Sequence, residues 1–297
     1  MGTTYIYWRN LMKRLFYALP VLVMPLFSQS ADALVISTST NATSLANTLA
    51  GSGITVTSAS LIGAPTQQGT FTDGLSSGLG IDTGVILTSG NATLAPGPNN
   101  SAGISASTGT GTNAQLNGLL PSGSTTNDQN QLSFSFTSNT GDLFFQYQFA
   151  SEEYNEFVNS KYNDVFGFFV DGVNIALVPG TTTPVSINTI NGGNPFTGVG
   201  PNSGYYVNNS QTTPLYNIQY DGFTKVLVAS ILGLAAGEHT INLAIADTED
   251  TALDSAVFLK AGSFTDTKPN VPEPATLAML GLGFAGFGAM RRKNKKG

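Results

Sequence analysis

The chain has 297 residues, 12 basic against 18 acidic ones, one histidine, no cysteine and a formal net charge of −6. The lack of cysteine excludes disulfides, thiol chemistry and Cys-ligated zinc or iron–sulfur sites, and the acidic balance leaves no basic patch for a nucleic acid. Between Leu34 and Asn270 the imbalance sharpens, because only Lys161, Lys225, Lys260 and Lys268 face 16 acidic residues there, a net charge near −12.

Residues 1–33 read as a secretory signal peptide. Arg9, Lys13 and Arg14 precede the uncharged run LFYALPVLVMPLFSQS, and Ala31-Asp32-Ala33 offers signal peptidase a small-x-small cleavage site at Ala31 and Ala33. Pro20 and Pro25 interrupt the run, which is shorter than the ~20 residues a membrane span needs. Residues 34–266 then have the length of a single large β domain. In it ALVIST predicts a strand, ATSLANTLAGSG a short helix with Leu45 and Leu49 one turn apart, and ITVTSASLIG a second strand. The stretch GTFTDGLSSGLGIDTGVILTSGNA predicts tight turns around one strand, Val85 to Thr88. Its glycines do not make a phosphate loop, since neither a GxxxxGK[ST] pattern nor a following helix is present. From Pro96 to Asn130 the chain is rich in Gly, Ser, Thr and Asn and predicts a long surface excursion with one apolar patch, Leu116 to Leu120.

Past it, QLSFSFT, DLFFQYQFA, DVFGFFVDG and NIALV predict strands in quick succession, with Asp171-Gly172 as a hairpin turn. A second polar excursion carries Tyr205 and Tyr206, and YNIQY, KVLVASIL, HTINLAIA and SAVFLKAGSF predict the remaining strands. About ten strands without a sustained helical pattern predict an all-β fold, an antiparallel β-sandwich of jelly-roll type with one short helix near the mature N-terminus.

The densest aromatic stretch is also acidic. Phe134 to Phe169 holds nine of the 18 phenylalanines, and Glu152, Glu153, Glu156 and Asp164 lie in the connection between its two heaviest strands. Wound helically, that connection sets Glu156 at i+4 and i+3 from the other glutamates, where like charges repel by a few tenths of a kcal/mol per pair unless a cation intervenes. A second acidic connection, with Asp247, Glu249, Asp250 and Asp254, also joins two buried strands. If both emerge at one end of the sandwich, Glu152, Glu153, Asp164, Asp247, Asp250 and Asp254 surround a hard cation. Calcium, with six to eight oxygen ligands in flexible geometry, suits loop-borne carboxylates better than magnesium or zinc. Solvated loops with local hydrogen bonds are the competing reading.

Paired carboxylates also serve glycoside hydrolysis. Glu152 and Glu153 are adjacent, so within a strand they point to opposite faces; a pair made of one of them with Asp247 or Asp254 stays open. His239 starts a strand in register with Ile241, Leu243 and Ile245 and reads as a strand-edge residue, with no Ser-His-Asp or Gly-x-Ser-x-Gly arrangement to join. No catalytic residue is assigned. Tyr147, Tyr154, Tyr162, Tyr205, Tyr206, Tyr216 and Tyr220 are enough for a sugar-stacking platform, but strand aromatics are more often core, and Trp8 falls in the signal peptide.

After a linker at residues 267–270, residues 271–297 are tripartite: Val271-Pro272-Glu273-Pro274, the uncharged run Ala275 to Met290, and Arg291-Arg292-Lys293-Asn294-Lys295-Lys296. As a transmembrane helix that run measures about 24 Å, short of the ~30 Å hydrocarbon core, and the basic tail stays cytoplasmic by the positive-inside bias. This end resembles the PEP-CTERM sorting signal of exopolysaccharide-producing Gram-negative bacteria. The resemblance implies recognition by a membrane-embedded exosortase, transient inner-membrane anchoring, and removal of the tail near Pro272-Glu273-Pro274.

Within the domain, FASEEYNEFVNSKYNDVFGFFVDG, NIALVPGTTTPVSIN, YYVNN, YDGFTKVLVAS and LAIADTEDTALDSAVFLKAGSF follow in this order. They are similar to the choice-of-anchor L family of exported bacterial proteins, from about Asn41 to Phe264. That family is named for its variable C-terminal anchors, of which PEP-CTERM is one. The resemblance implies a surface or extracellular-matrix protein and supplies no catalytic residue, and the expectation taken from the whole chain is a non-enzymatic protein. The expected role is structural or adhesive, in an exopolysaccharide or biofilm matrix with glycans as partners. A calcium-dependent carbohydrate-binding module is the alternative and a glycoside-active enzyme comes third.

Overall fold

The computed structural model of the chain describes residues 33–269. Ala31, the Pro272-Glu273-Pro274 motif and the apolar run that follows it lie outside the described residues, among which no helix is long and apolar enough to cross a membrane. Strand β1 (Val35–Thr38) leads into α1 (Ala42–Leu49), started by Asn41, whose side-chain oxygen accepts the Ser44 amide at 2.9 Å. Leu45, Ala46 and Leu49 form its buried face. Then come β2 (Ile54–Ile62), β3 (Gln68–Thr72), the single turn α2 (Gly74–Ser77), β4 (Gly84–Thr88) and, after a long loop, the single turn α3 (Ala114–Asn117). The second half is strands: β5 (Thr126–Ser138), β6 (Leu143–Ser151), β7 (Val165–Val170), β8 (Val173–Asn174), β9 (Tyr206–Asn208), β10 (Gly222–Thr224), β11 (Leu227–Ile231), β12 (Glu238–Thr248) and β13 (Ser255–Lys260).

These strands make two antiparallel sheets. One runs β1-β3-β4-β13-β6-β10-β9, with β11 also on β6, and the other β2-β5-β12-β7-β8. From β4 to β7 the chain alternates between sheets, and after the β7-β8 hairpin and the run β9 to β11 in the first sheet it crosses to β12 and back to β13, so the central orders β4-β13-β6-β11 and β5-β12-β7-β8 are those of a jelly roll. The fold is therefore the expected all-β sandwich. Between the sheets, Phe145, Tyr147 and Phe149 of β6 meet Phe166 and Phe168 of β7 at ring separations of 4.9 to 5.5 Å, and Phe264 stacks on Phe145 at 4.1 Å.

The apolar runs of β6 and β7 are continuous because both faces of each strand are covered. Leu116 of α3, with Leu119 and Leu120, lies over Val165 and Phe169 outside the second sheet. Ile218, Tyr220 and Phe223 cover Ala150 outside the first. Asp171 and Gly172 make the hairpin turn between β7 and β8, both at positive φ (47° and 87°), the signature of a type I′ turn.

Four segments differ from the sequence expectation, each for a local reason. NIALV is a strand only at its first residue, because the Asn174 side-chain oxygen accepts the Phe168 and Ala176 amides and so ends β8. YNIQY forms a single bridge, Pro96 to Ile218, since Asn209 clamps it: its oxygen accepts the Leu215 and Tyr216 amides and its nitrogen donates to the Ile218 and Tyr220 carbonyls. GTFT, expected as turns, belongs to β3 between β1 and β4; Gly69 permits this, because a Cβ there would run into the Ser37 backbone. The excursion from Pro96 to Asn130 is not all surface, for Asn99, Asn113, Leu116, Asp128 and Asn130 are buried.

Candidate functional site

Strand register brings the acidic residues to one end of the sandwich. In the first sheet Ser151 pairs with both Gly222 and Ser255, so Asp221, Glu152 and Asp254 sit side by side one residue beyond three neighbouring strands. The Glu152 amide donates to the Asp254 carbonyl at 3.1 Å. In the second sheet Val165 pairs with Ala246, so Asp164 and Asp247 are neighbours beyond β7 and within β12, and Asp247 pairs with Asn127, next to Asp128. Asp128 is the extra residue of a β-bulge, at φ 50°. The rows meet where the Ser255 hydroxyl donates to Asp164 Oδ2 at 2.7 Å.

Six of the residues named here, Asp128, Glu152, Glu153, Asp164, Asp247 and Asp254, are at most 4 % exposed, and so is Asp221 at 1 %. The loop over this end is built onto them by backbone donors. The Ala106 amide donates to Asp254 Oδ2 at 2.9 Å, and the Thr108 and Gly109 amides to Asp128 at 3.1 and 2.7 Å. The Asn99 side chain donates to Asp221 Oδ1 at 2.6 Å. Asp164 is saturated from two sides, by Ser255 and by the Thr248 amide. Gly90 makes room here, since a Cβ on it would overlap the Asp254 carboxylate.

Other oxygens have no such partner. Both oxygens of Glu152, Glu153 and Asp247, and one each of Asp254 and Asp221, are buried without a hydrogen bond. The Ile104 amide and the Ser89 hydroxyl stand near Glu152 and Asp247 and partly offset the upward shift of their pKa, without closing a bond of ordinary length and angle. No basic side chain enters. The four lysines of the described residues are exposed, and the ion pair found among those residues, His239 with Asp171, is at the opposite end of β7.

Burial therefore dominates the electrostatics. Desolvation, then Asp221, pushes Glu152 up to about 9, and desolvation, then Asp164 and Asp250, pushes Glu153 up to about 10. Burial raises Asp164 to about 8 against its Ser255 and Thr248 hydrogen bonds, Asp254 to about 7 against the Ala106 amide, and Asp221 to about 6 against Asn99. Asp247 is raised well above the carboxylate range, by burial first and Asp164 second.

The structure thus brings together Glu152, Glu153, Asp164, Asp247 and Asp254. It leaves Asp250 half-buried at the rim and Glu156 exposed, in a connection of turns and not a helix. Asp128 and Asp221 complete the group without a local signal in the sequence. Asp221 stands just before a three-residue strand too short to announce itself, and Asp128 hides in the polar excursion. The tyrosines do not form a platform: Tyr147, Tyr154, Tyr206 and Tyr220 are buried.

A second feature lies on the outer face of the five-stranded sheet. Two cross-strand rungs, Ser58-Ser135-Thr240 and Ser60-Ser133-Asn242, line a shallow groove of about 170 Å³ that carries hydroxyl and amide groups and no charge.

Residues 32–265 match the Choice-of-anchor L domain family, and residues 270–293 match the PEP-CTERM protein-sorting motif. Neither a curated protein nor a solved structure matches the chain.

Proposed function

This chain belongs to the choice-of-anchor L domain family, and from that premise we propose that it works as a structural and adhesive component of an exopolysaccharide or biofilm matrix. Its PEP-CTERM signal marks it for export across the inner membrane of a Gram-negative bacterium and for recognition by an exosortase, which places it at the cell surface or outside the cell. The two matched families are sorting and anchor families, not enzyme families.

The observation that carries the adhesive reading is the Ser58-Ser135-Thr240 and Ser60-Ser133-Asn242 face. In a domain this acidic, a groove lined by uncharged donors and acceptors, with Asp171 and Glu238 at its Thr240 edge, repeats about 6.8 Å along and 4.8 Å across the strands and suits the hydroxyls of an extended polysaccharide. Against catalysis stands the burial of Glu152 and Asp254, 1 % and 4 % exposed beneath the loop that holds Ala106. A glycoside-cleaving pair has to face its substrate across a cleft.

The test is retention of the full chain on exopolysaccharide isolated from the producing cells. Ser135→Lys, which puts a long charged chain in the groove, is expected to lower retention about tenfold with the circular-dichroism spectrum unchanged. Equal retention of both proteins would refute the assignment of this face.

A further inference from the structure

We propose that the acidic end of the sandwich is a calcium site, with Glu152, Glu153, Asp247 and Asp254 supplying the carboxylate oxygens and Asp221 flanking Glu152. Carboxylates gathered at a loop end are ordinarily solvated, and a cluster alone would mean little. Here the decisive observation is separate from the clustering: eight carboxylate oxygens of these five residues are buried without a closed hydrogen bond. Buried acceptors left unpaired are rare in folded proteins, and ionised ones are the most costly.

The fold does not treat these oxygens as accidents. It gives hydrogen bonds to Asp164 and Asp128 from two directions each, and to one oxygen of Asp254 and one of Asp221, and leaves the other oxygens without a closed one. What remains has no hydrogen-bond partner in either protonation state, and a cation that displaces the carboxyl protons would satisfy it. No lysine reaches it, and the His239 imidazole is at the far end. Among the described residues no three such side chains stand close enough to form a closed ligand set, so binding requires these carboxylates to move toward the ion.

The donor set selects the metal. All-oxygen ligands exclude a zinc-type site, which favours nitrogen and sulfur. Magnesium demands near-octahedral geometry and keeps its waters, whereas six to eight oxygens on flexible connections match calcium. Two sheets contribute, β6 with its following residues and β13 from one, β12 from the other, so the ion would tie the layers together at the end where the long loop crosses.

The experiment uses the full chain in detergent, stripped with EGTA and titrated calorimetrically with calcium chloride, then with magnesium chloride. Saturable calcium binding, at least tenfold weaker magnesium binding, and a melting temperature raised by about 5–10 °C at a hundredfold excess of calcium over Kd are expected. No saturable heat, with equal melting temperatures in calcium and EGTA, would overturn the proposal. Glu153→Gln and Asp247→Asn should each weaken calcium binding at least tenfold, while Glu156→Gln, exposed on the same connection, stays within twofold. If either buried variant fails to fold, the wild-type titration and Asp221→Asn, expected to weaken binding severalfold, decide. Variants that bind calcium as wild type does would also overturn it.

Discussion

His239 shows how a single side chain settles one end of the fold. Its Nδ1 lies 2.6 Å from Asp171 Oδ2 and its Nε2 2.8 Å from the Ala235 carbonyl. The Ala235 carbonyl first, and Asp171 second, hold the imidazole above its ordinary pKa. Burial pushes Asp171 up, but the Thr240 amide and His239 outweigh it and keep the carboxylate below its usual value. The histidine's contribution is complete below its unfolded pKa of about 6.5 and is lost as pH rises through the raised folded value. The aspartate's is present above about 3.9 and is lost as pH falls through the lowered one. Both act together between roughly pH 4 and 6.5. Urea midpoints of wild type and His239→Gln should thus differ more at pH 5.5 than at pH 9; an equal gap would show that the pair does not contribute. The effect is modest, because the Asp171 side chain is 46 % exposed and screened by solvent. At the acidic end, Gly90→Ala would force the Asp254 carboxylate aside, and calcium affinity measured by calorimetry should fall several-fold. Residue by residue, the acidic end was half legible. Glu152, Glu153, Asp164, Asp247 and Asp254 stood out as charges bordering long apolar runs. Asp128 and Asp221 needed the bulge in β5 and the register of β10, which are pairing facts that no local pattern carries.

At the scale of elements, β6 and β7 carry the core. Phe168 packs against Phe145, Tyr147 and Phe166 within 5.1 Å of each ring centroid, so Phe168→Ala should cost about 3–5 kcal/mol in chemical denaturation. A loss below about 1 kcal/mol would mean that the neighbouring rings refill the space. The strands with alternating or continuous apolar patterns, β2, β5, β6, β7, β11, β12 and β13, could be read directly from the sequence. The misses share a cause. Asn174 and Asn209 replace ladder bonds with side-chain bonds, and β3 exists because neighbours on both sides complete it. A side chain that competes with the backbone looks, in sequence, like any other polar residue. Strand number alone predicts the jelly roll; what realises it is the chain's crossing between sheets on either side of the β7-β8 hairpin.

For the whole molecule, sorting and folding are separable. Deleting Pro272, Glu273 and Pro274 should trap uncleaved protein at the inner membrane, seen as a larger band in the membrane fraction, while the 33–269 fold is untouched. Normal release would remove the motif's role. One geometric feature fixes where the described chain begins and ends relative to the acidic pole. The chain enters at Val35, opposite Thr72, and leaves after Thr265 bridges to Phe144, whereas the carboxylates lie beyond Ser151. Entrance and exit share one pole and the acidic end is the other, separated by the nine residues of β6, roughly 30 Å. A molecule tethered through residue 270 would stand with its carboxylates pointing away from the bilayer. Its carboxylate-rich pole would then be clear of the headgroups and open to whatever ions and neighbours lie beyond.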